Sequence, residues 1–390
     1  GDTFYHCTGC PTHPMYLPAK LRWLREEQPA VFARARRFGS IKEYLLTHWL
    51  GTRLVDRSVA SATALYKLFT GRWDPEILLA SGIDADRLGE PAEPTTMVPG
   101  LRAEIAAAMG VSAETVVVLG AGDGVLANLG VGAVAPGQMT CTIGTSGAVR
   151  IVSERPCIDA RGRTWCYYLA SDRHGPRWVN GAAINNGGIV CRWAWENLFG
   201  GSSQGEFDFA TLEHWATESP PGAHGLLFLP FLTGERSPYW NADARGVLFG
   251  LAITHTRQDV ARAVFEGIGH RMRSVFLALE EVAGRAREIR ATGGYTRSPF
   301  WLQLQSEMLG RPLVVPAVDE VSAFGAAALA MVALGWLADF EATAPLVQIA
   351  RQVEPDLERQ ECYAALHALY MRVYWKLQEE FVEISALQRT

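Results

Sequence analysis

The sequence has 390 residues, of which 48% are hydrophobic, and a chain of this size can bury at least two cores at ~100–200 residues per domain. The formal net charge of −5 argues against nucleic acid and membrane surfaces as partners, because both attract basic proteins. Seven scattered cysteines, an odd number, and the lack of any run of about 18 apolar residues predict a cytoplasmic protein without a disulfide framework.

The first 112 residues are predicted to be mainly helical. Apolar residues at helical spacing predict one helix over 15–38 and another over 41–49. The stretch 73–76 (Trp-Asp-Pro-Glu) is typical of a helix start, with proline in the first turn and acids near the positive end of the helix dipole. A further amphipathic helix is expected over 101–109.

From residue 115 onward the sequence predicts strands followed by alternating helices and strands, which indicates an α/β fold with a mixed sheet. The predicted strands are apolar or β-branched runs at 115–119, 138–143, 148–153, 164–170, 177–180, 226–229, 287–292 and 312–316. The predicted helices cover 189–198, 259–282, 299–309, 322–335 and about 355–385. A Gly/Ser-rich loop is expected around 200–206.

The most informative stretch is 114–149, in which Asp123 follows a strand and precedes a helix. The surrounding GAGDGV is not a dinucleotide fingerprint, because Val125 stands where GxGxxG needs its third glycine. An acid flanked by glycines at the end of a strand could accept a proton from a substrate hydroxyl. Aspartate is also favoured as a helix N-cap. Its position in the sequence alone does not distinguish a catalytic base from a helix cap.

Two turns of small residues are candidate phosphate sites. Gly144-Thr145-Ser146-Gly147 interrupts two strand runs and offers amides and hydroxyls to a phosphate, although an ordinary hairpin turn has the same composition. Ala291-Thr292-Gly293-Gly294 ends a strand where glycines could let a ligand approach the backbone, and a plain left-handed turn is equally expected. The sequence has neither a Walker motif nor a metal-ligating motif, so no metal-ligating residue is predicted.

Residues 234–241 (Gly-Glu-Arg-Ser-Pro-Tyr-Trp-Asn) combine hydrogen-bonding side chains with stacking aromatics, as a polyol site does, but a proline-containing surface loop would look the same. His13 is open between a structural and a functional role. Together, a base, two glycine-rich turns and a polyol loop indicate phosphoryl transfer to a hydroxyl.

Two segments resemble the signatures of the FGGY carbohydrate kinases. Residues 246–266 (GVLFGLAITHTRQDVARAVFE) match the second signature through their glycines, the spacer, Asp259 and Glu266. Residues 13–27 resemble the first signature, with Leu17 in place of its usual small residue or proline. The resemblance extends over essentially the whole chain.

This resemblance implies two actin-like (ribonuclease H-like) ATPase domains around a cleft. Residues 1–130 would form the C-terminal part of the first, sugar-binding domain, and residues 131–390 the second, nucleotide-binding domain with a C-terminal helix. About a hundred residues of the family pattern, including the phosphate hairpin of the first domain, are expected to be missing before residue 1. ATP and Mg²⁺ are the implied cofactors, and a homodimer is the implied assembly.

The resemblance also assigns site residues. Asp123 matches the catalytic base and a substrate contact, and His13 and Met15 fall where the family contacts its sugar. The implied phosphate- and nucleotide-binding residues are Gly144, Thr145, Ser146, Gly188, Arg192, Gly293, Gly294 and Ser298. Tyr295 stands where a third small residue is more usual.

Three segments, 8–20, 122–130 and 234–246, look most like gluconate kinases, with xylulose kinases a close second. The resemblance therefore implies ATP-dependent phosphorylation of a sugar or sugar acid at a terminal hydroxyl, with gluconate to 6-phosphogluconate as first choice and xylulose as the alternative. A second alternative is a truncated or inactive actin-like nucleotide-binding protein.

Overall fold

The structure is a computed structural model that describes residues 2–201 and 206–389, so part of the loop predicted around 200–206 lies outside the described residues. In this part of the chain no helix is both long and apolar enough to cross a membrane. The described residues form fifteen α-helices, which are α1 Asp2–Thr8, α2 Leu17–Glu27, α3 Pro29–Arg34, α4 Ile41–Leu50, α5 Arg57–Ser61, α6 Pro75–Ser81, α7 Ala103–Met109, α8 Asp123–Gly130, α9 Ile189–Leu198, α10 Phe209–Glu218, α11 Arg257–Ala283, α12 Pro299–Leu309, α13 Val321–Ala333, α14 Leu357–Lys376 and α15 Gln378–Leu387.

The strands of the described residues are β1 Leu54–Asp56, β2 Tyr66–Lys67, β3 Arg72–Trp73, β4 Glu90–Ala92, β5 Met97–Val98, β6 Val117–Val118, β7 Gln138–Ile143, β8 Gly147–Ser153, β9 Trp165–Asp172, β10 Gly175–Ile184, β11 Leu227–Leu229, β12 Val247–Phe249, β13 Glu288–Thr292, β14 Leu313–Pro316 and β15 Ile349–Val353. Seven of them form one sheet in the order β15-β14-β13-β7-β8-β10-β9. The sheet is mixed, because β13 runs parallel to β7 and β14 whereas β15 is antiparallel to β14.

Two predicted helices are divided in the structure. The helix predicted over 15–38 is broken between α2 and α3, where Gln28 has a non-helical φ of −133° and Pro29 opens α3. A proline disfavours helical geometry in the residue before it and provides no amide for the preceding turn, so a new helix starts there. The helix predicted over about 355–385 is divided into α14 and α15 at Leu377.

Local end signals account for other boundaries. Ser40 and Glu43 form a capping box at the start of α4, which ends at Gly51 with a left-handed φ of 68°. Asp74 accepts hydrogen bonds from the amides of Glu76 and Ile77 and so caps α6. These short-range contacts explain why the starts of both helices could be predicted.

The chain divides into two compact units. The first unit comprises Gly1–Gly137, Ile151–Asn180 and Val318–Gln348, and the second comprises Gln138–Arg150, Gly181–Ala317 and Ile349–Thr390. Strands β8 and β10 contribute residues to both. Each unit therefore combines segments that are far apart in the sequence.

In the first unit, α8 and α13 cross in very close contact. A Cβ atom at Gly130 would overlap the carbonyl oxygen of Val321, and one at Gly325 would overlap the carbonyl oxygen of Leu126. Only glycine allows the two backbones to approach this closely. The surrounding apolar core includes Leu129 and ten or more further buried side chains from both helices and the neighbouring strands. This packing fixes α8, the helix that begins with Asp123.

In the second unit, parallel strands β7 and β13 pair from Gln138 opposite Glu288 to Thr142 opposite Thr292. The hydroxyls of these two threonines are 2.8 Å apart. Because β7 ends one residue before Gly144 and β13 ends one residue before Gly293, both glycine-rich turns leave the sheet at the same edge. The long helix α11 of the same unit is buried along most of its length.

Candidate active site

The two glycine-rich turns of the second unit line one cavity of about 570 Å³. Six of the eight residues predicted to bind nucleotide lie in its wall, namely Gly144, Thr145, Gly188, Arg192, Gly294 and Ser298. The two others, Ser146 and Gly293, belong to the same turns but not to this wall. The cavity wall is assembled from four segments that are distant in the sequence, at 143–145, 188–192, 207–213 and 294–301.

The turn over 144–147, hereafter the phosphate turn, presents unused polar groups. Gly188 N donates to Gly144 O at 2.7 Å, and Ile189 N donates to Thr145 O at 3.2 Å, so the start of α9 holds the carbonyl side of the turn. In the described residues the hydroxyls of Thr145 and Ser146 have no hydrogen-bond partner, and a Cβ at Gly144 would meet nothing within 4 Å. An open turn with free hydroxyls suits a phosphate group.

The second turn contains one glycine required by packing and one that leaves space. Gly293 has φ +96°, and a Cβ there would lie 2.5 Å from the carbonyl oxygen of Ile143. Gly294 has nothing within 4 Å of its Cβ position. Tyr295, the large residue in place of a small one, is buried, and its hydroxyl donates to Cys141 O at 3.3 Å. Burial raises the pKa of Tyr295 well above its usual value, so this hydroxyl is a donor.

An aromatic wall faces these turns and was missed by the sequence analysis. The rings of Phe209 and Trp301 stack with centroids 5.9 Å apart and an interplanar angle of 20°. Phe207 also lines the cavity, and Arg192 lies over its ring at 5.4 Å. Such a surface can stack a planar base. In the sequence these positions look like ordinary core residues. Only their meeting at one cavity in the folded chain identifies them as candidate ligand contacts.

Ser298 lines the cavity but its hydroxyl is already used. It accepts a hydrogen bond from Trp301 N at 2.8 Å, which caps α12, and it donates to a carboxylate oxygen of Glu213. Ser298 therefore shapes the wall, and Glu213 is a further lining residue that sequence reasoning did not identify.

Asp123 occupies the first position of α8 in the first unit, and its carboxylate is exposed. The N-cap is Gly122, so the capping role considered for Asp123 does not describe it. Its Oδ1 accepts a hydrogen bond from Gly124 N at 2.6 Å, whereas Oδ2 has no partner among the described residues. Its backbone is held by Ser322, whose hydroxyl donates to Asp123 O at 3.0 Å. The backbone is fixed while one carboxylate oxygen stays available to a ligand.

The predicted sugar contacts of the first unit are not gathered in one cavity. His13 lines a cavity of about 420 Å³ together with Pro11, Tyr16 and Arg22, but neither Met15 nor Asp123 lies in its wall. His13 Nδ1 accepts a hydrogen bond from Met15 N at 3.2 Å, and the Met15 side chain is 41% exposed. The Met15 side chain is therefore exposed and that of His13 partly exposed.

The loop over 234–241 is partly buried in the structure, and its interpretation as a polyol site stays a prediction. Glu235 and Ser237 are buried in the second unit, whereas Tyr239 is half-buried. Glu235 pairs with Arg271 of α11, and the distance from Nε to Oε2 is 3.2 Å. The Glu235 carboxylate is therefore engaged in internal contacts, whereas Arg236, Tyr239, Trp240 and Asn241 remain partly exposed.

The described residues contain no group of three or more His, Cys, Asp or Glu side chains arranged to hold a metal ion. Asp123 supplies one exposed carboxylate oxygen. Mg²⁺ accepts a donor set of this kind, because it commonly binds one or two carboxylates together with substrate phosphates and keeps several waters.

Two family models match the chain. The N-terminal domain of the FGGY family of carbohydrate kinases matches residues 1–130, and the C-terminal domain of the same family matches residues 139–334. Gluconokinases of Bacillus licheniformis and Bacillus subtilis (strain 168) are 36% and 37% identical over the full length of this chain, which covers 76% of each. A xylulose kinase of Escherichia coli (strain K12) is 27% identical over 95% of the chain and 75% of its own length.

The chain is also similar to solved structures of carbohydrate kinases. The crystal structure of gluconate kinase from Lactobacillus acidophilus superposes with a TM-score of 0.93 at 31% identity, over 98% of this chain and 76% of that one. A ligand-bound xylulose kinase from the same organism superposes with a TM-score of 0.91 at 32% identity and the same coverage.

Proposed function

Because the chain belongs to the FGGY family of carbohydrate kinases, we propose that it transfers the γ-phosphoryl group of ATP to a terminal hydroxyl of gluconate, giving 6-phosphogluconate and ADP. The observation that carries the proposal is the cavity of the second unit, where a free phosphate turn, an open glycine and an aromatic wall meet. Gluconate is preferred because the relatives that are 36% and 37% identical over the full length of this chain are gluconokinases.

In this proposal Asp123 is the general base. Its free Oδ2 would accept the proton of the terminal hydroxyl as the hydroxyl oxygen attacks the γ-phosphorus. The new oxygen–phosphorus bond forms while the bond from the γ-phosphorus to the bridging oxygen breaks, and ADP leaves with the electron pair. The hydrogen bond from Ser322 to the Asp123 backbone would keep the carboxylate oriented.

The second unit would hold the nucleotide. The base would stack against Phe209 and Trp301, and the phosphates would receive hydrogen bonds from Thr145 and the amides of the phosphate turn. Mg²⁺, when bound with ATP, would offset negative charge on the phosphates. Arg192 and Arg297, both exposed at the cavity, add positive charge for the same purpose.

We also infer a cytoplasmic location. ATP is the co-substrate of the family, and the cytoplasm supplies it. All seven cysteines are free thiols in the structure, as a reducing compartment requires.

A coupled assay of ADP release with gluconate, xylulose, ribulose and glycerol tests the substrate. We expect the highest kcat/KM with gluconate. A higher kcat/KM with xylulose than with gluconate would show that xylulose is the substrate. This alternative is supported by the xylulose kinase relatives and by the xylulose kinase structure with a TM-score of 0.91.

Asp123→Asn tests the base in the same assay. The change keeps the shape of the side chain but removes its ability to take a proton, so kcat should fall by ~10²–10⁴-fold. Asp84→Asn is the matched control, because Asp84 is an exposed acid of the first unit that makes no side-chain capping bond. A kcat of Asp123→Asn equal to that of the control would show that Asp123 is not the base.

A further inference from the structure

We propose that Glu235 and Arg271 are positioning residues that fix the phosphate turn (144–147) from the interior of the second unit. The proposal rests on the proposed function, since it concerns how the nucleotide phosphates are held. The connection runs from α11 through the loop at Glu235 and the residues that follow β10 to the turn itself.

The first link is a buried ion pair. The side chains of Glu235 and Arg271 are both 0% exposed, with Arg271 Nε 3.2 Å from Glu235 Oε2. Arg271 Nη2 donates to Ser237 O at 2.8 Å, and the guanidinium lies 4.7 Å from the centroid of the Tyr239 ring. Burial acts to lower the pKa of Arg271, but Glu235 together with the neighbouring Tyr239 and Tyr370 raises it overall, so the guanidinium stays charged.

The second link joins Glu235 to the end of β10. Glu235 Oε1 accepts hydrogen bonds from Asn185 N at 2.7 Å and from Arg236 N at 2.8 Å. The Asn186 side chain donates to Gly234 O at 2.8 Å and, at 3.4 Å, to Glu235 Oε2. One carboxylate thus collects four donors. A neutral glutamine could not, because half of its amide is itself a donor.

The third link joins these residues to the phosphate turn. Gly187 packs so closely that a Cβ there would lie 2.6 Å from the backbone carbon of Ser146. The next residue, Gly188, donates its amide to Gly144 O at 2.7 Å. Ile189 N then reaches Thr145 O at 3.2 Å. The turn therefore contacts Gly187, Gly188 and Ile189, which directly follow Asn185 and Asn186, the two residues that Glu235 holds.

This arrangement suits positioning better than stabilisation. Removing two charges from water opposes folding, so a buried ion pair adds little net stability compared with apolar residues of the same volume. A carboxylate with four fixed donors nevertheless sets the place of each donor. Because displacing a reacting group by about 1 Å can lower a rate by roughly 10²-fold, the position of the turn matters for phosphoryl transfer.

Glu235→Gln and Gly187→Ala test the connection at its two ends. Titration calorimetry of the full chain without sugar compares two probes, the imido analogue of ATP and adenosine. Displacing the turn should raise the Kd of the ATP analogue by roughly tenfold or more, equal to at least ~1.4 kcal/mol, while the Kd of adenosine stays within about twofold. With gluconate, kcat should fall by roughly 10²-fold while KM for gluconate is unchanged.

Glu280→Gln is the matched control, because Glu280 also lies on α11 and pairs with Arg311, but its contacts lead away from the phosphate turn. The control should bind both probes as the unchanged protein does. Equal loss of both probes in Glu235→Gln and Gly187→Ala, or no loss of the ATP analogue, would overturn the inference. If Glu235→Gln does not fold, Gly187→Ala decides. An unchanged protein that binds neither probe would instead overturn the proposed function.

Discussion

The side chains of the candidate site differ in whether their polar atoms already have hydrogen-bond partners within the protein. The Ser298 hydroxyl is engaged by Trp301 and Glu213, and Glu235 is surrounded by donors. The Thr145 hydroxyl and Asp123 Oδ2 have no partner in residues 2–201 and 206–389. Unsatisfied polar atoms that face a cavity or solvent are free to bind a ligand. We therefore expect Thr145 and Asp123 to contact substrate, and Ser298 and Glu235 to hold the surrounding structure in place.

Thr145→Val tests the free hydroxyl. The change keeps the β-branched shape and removes one hydrogen bond to a charged phosphate, so kcat/KM for ATP should fall by roughly 10–100-fold. Steady-state kinetics with varied ATP measures this. Thr254→Val, at an exposed threonine of the second unit, is the control and should leave kcat/KM unchanged. Equal values for the two variants would remove Thr145 from the proposed phosphate contacts.

Two buried histidines of the second unit predict loss of stability in mild acid. Burial lowers the pKa of His270 well below 6.5 and that of His367 to about 3. Both are neutral when folded, but the unfolded chain binds protons below about pH 6.5. Stability should therefore fall as pH decreases from 6.5 towards 4.5, by up to ~1.4 kcal/mol per pH unit for each histidine.

The measurement is the urea midpoint at pH 7.0 and 5.5. His367→Phe removes one of the two titrating groups and should reduce the pH dependence by about half. A variant with the same pH dependence as the unchanged protein would show that His367 does not titrate in this range on unfolding.

The helix pair α8 and α13 decides where Asp123 stands. Their contact depends on Gly130 and Gly325, each of which faces a backbone carbonyl of the other helix. Because the two helices come from distant parts of the sequence, neither fixes the position of Asp123 alone. In the proposed mechanism, packing of α8 against α13 therefore places the catalytic base.

Gly325→Ala should force α8 and α13 apart. The added methyl group would overlap the Leu126 carbonyl oxygen, and overpacking of this kind costs about 1–3 kcal/mol. We expect a lower thermal midpoint and, because Asp123 moves with α8, a lower kcat. The control Ala326→Ser changes an exposed neighbour on the same helix and should stay within about 0.5 kcal/mol. A midpoint equal to that of the control would contradict the close contact.

The whole molecule has the fold predicted for it. The TM-score of 0.93 with a gluconate kinase at 31% identity confirms the α/β fold of actin-like domains, and the mixed seven-stranded sheet agrees with it. The assignment of sugar to residues 1–130 and of nucleotide to residues 131–390 stays a prediction.

Hydrogen exchange with each ligand separately tests that assignment. ADP should protect peptides that contain 144–146, 188–192 and 293–298, because binding closes local opening of the segments it contacts. Gluconate should protect peptides that contain 13–15 and 122–124. Mass spectrometry of the exchanged protein reads both, with peptides from 378–387 as an internal control. Protection of the first set by gluconate alone would reverse the assignment.

Much of the secondary structure could be predicted because its causes are local. The bounds expected for 138–143, 189–198 and 299–309 are those of β7, α9 and α12. Periodicity, capping residues and terminal glycines act within a few residues, so the sequence displays them directly. The division at Gln28 was missed although Pro29 was visible, because the apolar spacing continued across it.

By itself, then, the sequence determined the family, the candidates for chemistry and several of the longer elements, since these depend on local pattern. Only the tertiary structure decided which candidates meet. Register between β7 and β13 brings two glycine turns together, and folding brings Phe209 and Trp301 to face them. It also buried Glu235 against Arg271, so this acid of the loop is used inside the second unit. The physical reason is that a polar group has or lacks a hydrogen-bond partner depending on residues that are distant in the sequence. Only tertiary packing brings those residues together.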